Sequence, residues 1–166
     1  MKPTLLAPLL ALGLAGCATT GQPHAAYPYE ATPYDASTQA RGALDAALER
    51  ARENGKLTLA VFGANWCHDS RGIAGLLETP RFRALTDDHY ETVFVDVGTP
   101  QRGEGRNLDL AAELGVEGIE GTPTVIVVGR SGATLNAETA KLWRDAASRN
   151  PDAVYMELYR YAQGRL

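Results

Sequence analysis

An apolar run, Leu57 to Phe62, leads within four residues into Trp66-Cys67-His68-Asp69-Ser70, and from there into a helical pattern with Ile73 and Leu76 on one face. A short apolar run of this kind reads as a buried strand, and the period change after it reads as a helix. The pattern therefore predicts a strand, a tight turn and a helix over Cys67 to about Leu77. The thiol would sit where the helix begins. The first amides of a helix lack intrahelical partners and its dipole is positive there, so this end stabilises an anion and favours the thiolate.

The same alternation continues in both directions. Leu44, Ala47, Leu48 and Ala51 fall at helical spacing, and Gly55 is a plausible stop. Thr79-Pro80 restarts a helix, with Thr79 as cap and Pro80 in the first turn. Glu91 to Val97 is a second apolar strand. A loop with Arg102-Gly103-Glu104-Gly105-Arg106 follows, then a short helix over Asn107 to Leu114, ending at Gly115. Thr124 to Val128 is a third strand. Arg130-Ser131-Gly132 reads as a hairpin turn into a fourth strand near Leu135, and Ala137 to Ser148 as helical. Asn150-Pro151-Asp152 opens a last helix with an inward stripe of Val154, Leu158 and Tyr161. Strands and helices in this order predict a mixed sheet covered by helices, with two parallel crossovers. Trp143, at helical spacing, reads as core.

The N-terminus follows a different logic. Lys2 precedes an apolar stretch, Thr4 to Leu14, that is too short to cross a bilayer, which takes roughly 20 apolar residues. It ends in Leu14-Ala15-Gly16-Cys17, which resembles the bacterial lipobox. The resemblance implies a signal peptide over 1–16, cleavage before Cys17, and a lipid on its thiol. It also implies a cell-envelope protein facing the periplasm. Ala18, where an Asp would favour the inner membrane, points to the outer one. Residues 17–37 carry Pro23, Pro28 and Pro33 between Tyr27, Tyr29 and Tyr34, and read as an extended tether. The folded domain is then expected over 38–166.

Phe62 to Ser70, and Gly121-Thr122-Pro123-Thr124 entering a strand, resemble the active-site segment and the cis-proline loop of the thioredoxin superfamily. The likeness covers roughly residues 40–148, and is nearest to exported thioredoxin-like domains related to envelope disulfide reductases. It implies a three-layer α/β/α sandwich with a mixed central sheet of about four to five strands and a C-terminal extra helix. It implies that Cys67 attacks disulfides, that Trp66 shapes the rim, and that Pro123 in cis packs on Cys67. The Thr122 backbone would pair with an extended substrate. His68 either tunes the thiol or simply faces solvent.

Two departures from that pattern are visible. Ser70 stands where the family has a second cysteine, so a mixed disulfide at Cys67 has no internal resolver. Ser70 is expected to donate a hydrogen bond to the thiolate instead. Val61 stands where many thioredoxins carry a buried Asp. With Cys17 lipidated, Cys67 acts alone, and release needs an outside thiol. The expected activity is thiol–disulfide exchange of isomerase or deglutathionylation type. The partners are extracytoplasmic proteins with thiols or disulfides, or glutathione-like small thiols. The alternative is a non-catalytic binding module that captures client proteins. No cofactor is implied, no metal-ligand spacing occurs, and a net charge of −4 offers no footprint for nucleic acid.

Overall fold

The computed structural model describes residues 30–165. The signal-peptide and Cys17 lipidation readings lie outside the described residues. Among the described residues no helix is long and apolar enough to cross a membrane.

The centre of the molecule is β1 (Leu57–Gly63), every residue of which is buried. It lies between β2 (Tyr90–Asp96), which runs parallel to it, and β5 (Thr124–Val128), which runs antiparallel. A strand with covered faces and neighbours on both edges needs apolar side chains pointing both ways, which is why Leu57–Phe62 is almost uninterrupted. Leu57, Leu59 and Val61 point into one core with Ile73, Phe82, Trp143 and Leu158. Ala60 and Phe62 point into the other with Leu44, Ala47, Val95 and Leu110.

The helices form the outer layers. On one side lie α2 (His68–Leu77), α3 (Pro80–His89), a 3-10 helix over Ala140–Ser148 and α5 (Pro151–Ala162). On the other lie α1 (Ala40–Asn54) and α4 (Leu108–Glu113). Gly55 ends α1 with φ +67°, a conformation that glycine adopts without a Cβ penalty. The Asn150 side chain caps α5 by accepting from the Asp152 amide, with Pro151 in the first turn. A small hairpin of β3 (Gly98–Thr99) and β4 (Glu104–Gly105) stands apart from the main sheet.

The three-layer α/β/α sandwich is therefore as expected, but the sheet differs in detail. Among the described residues it has three strands, with one parallel crossover instead of two. The expected fourth strand near Leu135 is reduced to a bridge between Val128 and Thr134 and one bond from the Leu135 amide to the Val127 carbonyl. Asn136 explains the difference. Its buried side chain accepts from the Val127 amide and donates to the Val125 carbonyl, both at 2.8 Å, so a side-chain amide occupies the edge that a further strand would use. The helical stretch expected over Ala137–Ser148 is a 3-10 helix, interrupted at Asp145 by φ −109°, ψ 24°.

The tether reading needs a correction at its C-terminal end. Tyr34 is 2% exposed and belongs to the core beside Leu59 and Val61, with its ring edge-on to Phe94 at 5.4 Å. The segment from Glu30 to Tyr34 is docked on the domain, so the fold begins before residue 38.

Candidate functional site

Strand β1 ends at Gly63, and the chain turns through Ala64, Asn65 and Trp66. The Cys67 amide closes this turn by donating to the Ala64 carbonyl at 3.0 Å. Cys67 itself is extended (φ −85°, ψ 123°) and occupies the cap position of α2, its carbonyl accepting from the Arg71 amide. The helix thus begins at His68, one residue later than the sequence pattern suggested. The thiol stands at the helix N-terminus, and no side chain caps the first amides.

The sulfur donates to a specific acceptor. Cys67 Sγ lies 3.4 Å from the carbonyl oxygen of Thr122, and the Thr122–Pro123 peptide bond is cis. The loop before β5 therefore lies directly over the cap of α2. Thr122 and Pro123 are buried, and they cover the sulfur on that side. Cys67 is consequently only 9% exposed. The reason is close packing between the two segments that the sequence had singled out.

Trp66 remains half exposed at the rim, and its indole N–H donates to the Gly98 carbonyl at 2.9 Å. The β3–β4 hairpin, which contains the Arg- and Gly-rich loop, thus borders the site through Trp66.

His68 is exposed, in keeping with its solvent-facing reading, whereas Ser70 does not behave as expected from sequence. The His68 ring pairs through Nδ1 with the Glu30 carboxylate at 2.9 Å. Arg71 holds the same carboxylate, with Nε at 3.1 Å. These two contacts, Arg71 first, keep the Glu30 carboxyl below the usual carboxylate range. Ser70 is fully buried, and its hydroxyl has no hydrogen-bond partner among the described residues, so the expected bond to the sulfur is not formed. Ser70 Oγ instead lies over Gly63: a Cβ placed on Gly63 would meet it at 2.8 Å and the Tyr34 ring at 2.6 Å. Asp69 accepts from the Ala147 amide and ties the start of α2 to the 3-10 helix.

Sequence reasoning missed Tyr34. Its hydroxyl donates to the Ser70 carbonyl at 3.0 Å, and its backbone makes two bonds with the Asn65 side chain. Burial, and then the nearby Cys67 charge, push the Tyr34 phenol far up from its ordinary value, so it acts as a neutral donor.

A strand feeding a cysteine at a helix N-terminus, roofed by a cis-proline loop ahead of an antiparallel strand, defines a thioredoxin-type fold. The model of the thioredoxin-like family matches residues 38–129, and the chain belongs to that family. Among solved structures, the chain is similar to a disulphide isomerase from Xylella fastidiosa Temecula1, with 30% identity and a TM-score of 0.70. That match covers 79% of this chain and 97% of the other. A thioredoxin from Thermus thermophilus shares the fold at 22% identity and TM-score 0.51, covering 73% and 85% respectively. No curated protein matches the chain.

Proposed function

We propose that this protein carries out thiol–disulfide exchange through Cys67 alone, and that it works tethered to a bacterial envelope membrane through a lipid on Cys17. The observation that carries the chemistry is the position of the Cys67 sulfur, at the cap of α2 and 3.4 Å from the Thr122 carbonyl. The thiolate form of a cysteine is the nucleophile of exchange, and Cys67 is the one cysteine among the described residues. The similarity to a disulphide isomerase supports the same reading. The lipobox-like Leu14-Ala15-Gly16-Cys17 supports the tether.

The steps balance without an added oxidant. The Cys67 thiolate attacks one sulfur of a substrate disulfide, forms a Cys67–substrate disulfide and expels the other sulfur as a thiolate. A second thiol then attacks the mixed disulfide and regenerates Cys67. Ser70 offers a hydroxyl, which cannot perform this second attack. The resolving thiol is therefore external, either glutathione-like or a second cysteine of the substrate. Isomerisation and deglutathionylation both end this way. The second reading is capture of a client disulfide: Cys67 displaces one client sulfur as a thiolate and the mixed disulfide persists, because the low exposure of Cys67 hinders the approach of a second thiol.

The test is release of glutathione from a glutathionylated peptide in the presence of excess free glutathione. Catalysed release by the native chain, lost in Cys67→Ser, supports exchange. A stable Cys67 adduct without turnover supports capture. Equal release by the native and Cys67→Ser chains, with no Cys67 adduct formed, overturns both.

A further inference from the structure

The segment that precedes α1 holds the cysteine-bearing turn from both ends. The Tyr34 amide donates to Asn65 Oδ1 at 3.1 Å, and Asn65 Nδ2 donates back to the Tyr34 carbonyl at 2.8 Å. These bonds fix the chain two residues before Cys67. The Tyr34 hydroxyl on the Ser70 carbonyl and the Ala31 amide on the Arg71 carbonyl fix it three and four residues after. Glu30 adds a hydrogen bond with His68 and an ion pair with Arg71. Arg71 closes the ring by donating to the Asn65 carbonyl at 3.0 Å. Beneath these contacts the Tyr34 ring rests over Gly63, the last residue of β1, in space that any larger residue at 63 would occupy.

Of these residues, Glu30–Tyr34 lies outside 38–129, the part that matches the family model. The bonds of this segment converge on the one turn that carries the sulfur. A segment serving only to join a tether to the domain has no need to bond to side chains and carbonyls on both sides of Cys67.

We infer that Glu30–Tyr34 is a clamp that positions Cys67 beneath Thr122, with Tyr34 and Asn65 as its positioning residues. Polar groups bonded in pairs around the buried Tyr34 side chain hold one arrangement of the turn. With the clamp in place, the sulfur stays on the Thr122 carbonyl and mostly covered. With the clamp loosened, the turn samples open forms in which the sulfur is exposed.

The inference rests on Cys67 being the reacting group, but its test does not need turnover. The readout is the rate at which iodoacetamide alkylates Cys67 in the native full-length chain, followed by mass spectrometry of the Cys67 peptide. Asn65→Ala, which changes no charge, and Tyr34→Ala are expected to raise that rate by about threefold or more. Tyr34→Phe retains the ring and is expected to stay nearer the native rate than Tyr34→Ala does. Leu158→Ala truncates a buried residue of the same core on α5, and serves as a control for general destabilisation. It is expected to stay within about 1.5-fold of native. Native rates in both Asn65→Ala and Tyr34→Ala overturn the clamp and leave the exchange reading intact. An equal rise in Leu158→Ala also overturns it, because the effect is then one of global stability. Loss of exchange activity in the native chain, with alkylation responding as expected, overturns only the exchange reading.

Discussion

The thiol of Cys67 donates to the carbonyl of Thr122 at 3.4 Å, joining the N-terminus of α2 to the cis-proline loop fifty-five residues away. The contact settles which face of the cysteine is closed, and leaves the Trp66 side as the rim. It also leaves Ser70, one turn into α2, directed at Gly63 and Tyr34 and not at the sulfur.

Ser70→Cys tests whether that position still belongs to the reactive geometry. Three residues along a helix start is one turn, so a thiol at position 70 can close a disulfide with Cys67 once the side chain rotates. Mild oxidation should remove both thiols from alkylation, and mixed disulfides with glutathione should fall by about tenfold, since an internal thiol now resolves them. Mass spectrometry of the alkylated protein reads both. Adducts that persist at the native level would falsify the placement of position 70 beside Cys67. The extra atom volume against Tyr34 and Gly63 should cost about 1 kcal/mol in urea unfolding.

Gly63→Ala probes the same packing from the strand. The added methyl meets the buried Tyr34 ring at 2.6–2.7 Å and Ser70 Oγ at 2.8 Å, so one of them must move. Urea denaturation should show a loss of about 1–3 kcal/mol. Combined with Tyr34→Ala, whose truncation vacates that space, the two losses should be less than additive by about 1 kcal/mol. Strict additivity would mean that the ring and the methyl do not compete.

Some of this was legible in the residue order. Leu57–Phe62 announced a central strand, and Cys67 a helix start, because both signals are local: a run of buried apolar side chains and a change of period. Thr122-Pro123 before Thr124–Val128 was legible for the same reason. Tyr34 was not. Prolines at 28 and 33 give its neighbourhood the local character of a spacer, while the partners that bury it, Asn65 and Ser70, lie 31 and 36 residues along the chain. His68 was undecided for the same cause, since Glu30 is 38 residues before it. The fourth strand was read from a turn signal at Arg130-Ser131-Gly132. The turn is there, with the Gly132 amide on the Gly129 carbonyl, but the returning chain pairs for little more than one residue before Asn136 takes over the edge.

Asn136 is therefore expected to matter far more than its residue type suggests. Asn136→Ala strands the Val127 amide and the Val125 carbonyl inside the protein without partners. Each buried unsatisfied group costs on the order of 1–3 kcal/mol, so the loss should reach about 2–4 kcal/mol by thermal or urea unfolding. A loss below about 0.5 kcal/mol would mean that water or a shifted strand satisfies the edge. Hydrogen exchange at the Val127 amide should accelerate in parallel, as the direct sign that its acceptor has gone.

The ion pairs at the start of β2 give the chain a defined acid dependence. Glu91 accepts from Arg50 at 3.0 Å and lies 3.6 Å from Lys56, and its side chain is only 17% exposed. The hydrogen bond from Arg50, helped by Asn54 and by the Lys56 charge, keeps the Glu91 carboxyl below the usual carboxylate range. A carboxyl with a lower pKa in the folded state stabilises that state above the unfolded value of about 4.3, and the contribution is lost as pH falls through the folded value. Glu91→Gln should therefore cost about 0.5–1 kcal/mol at pH 7, a modest figure because Arg50 is half exposed. The difference from the native chain should shrink towards zero in strongly acidic solution, as pH falls through the folded value of Glu91 and both side chains are neutral. Urea titrations under the two conditions measure it, and a difference that persists at low pH would assign the effect of Gln to packing and not to charge.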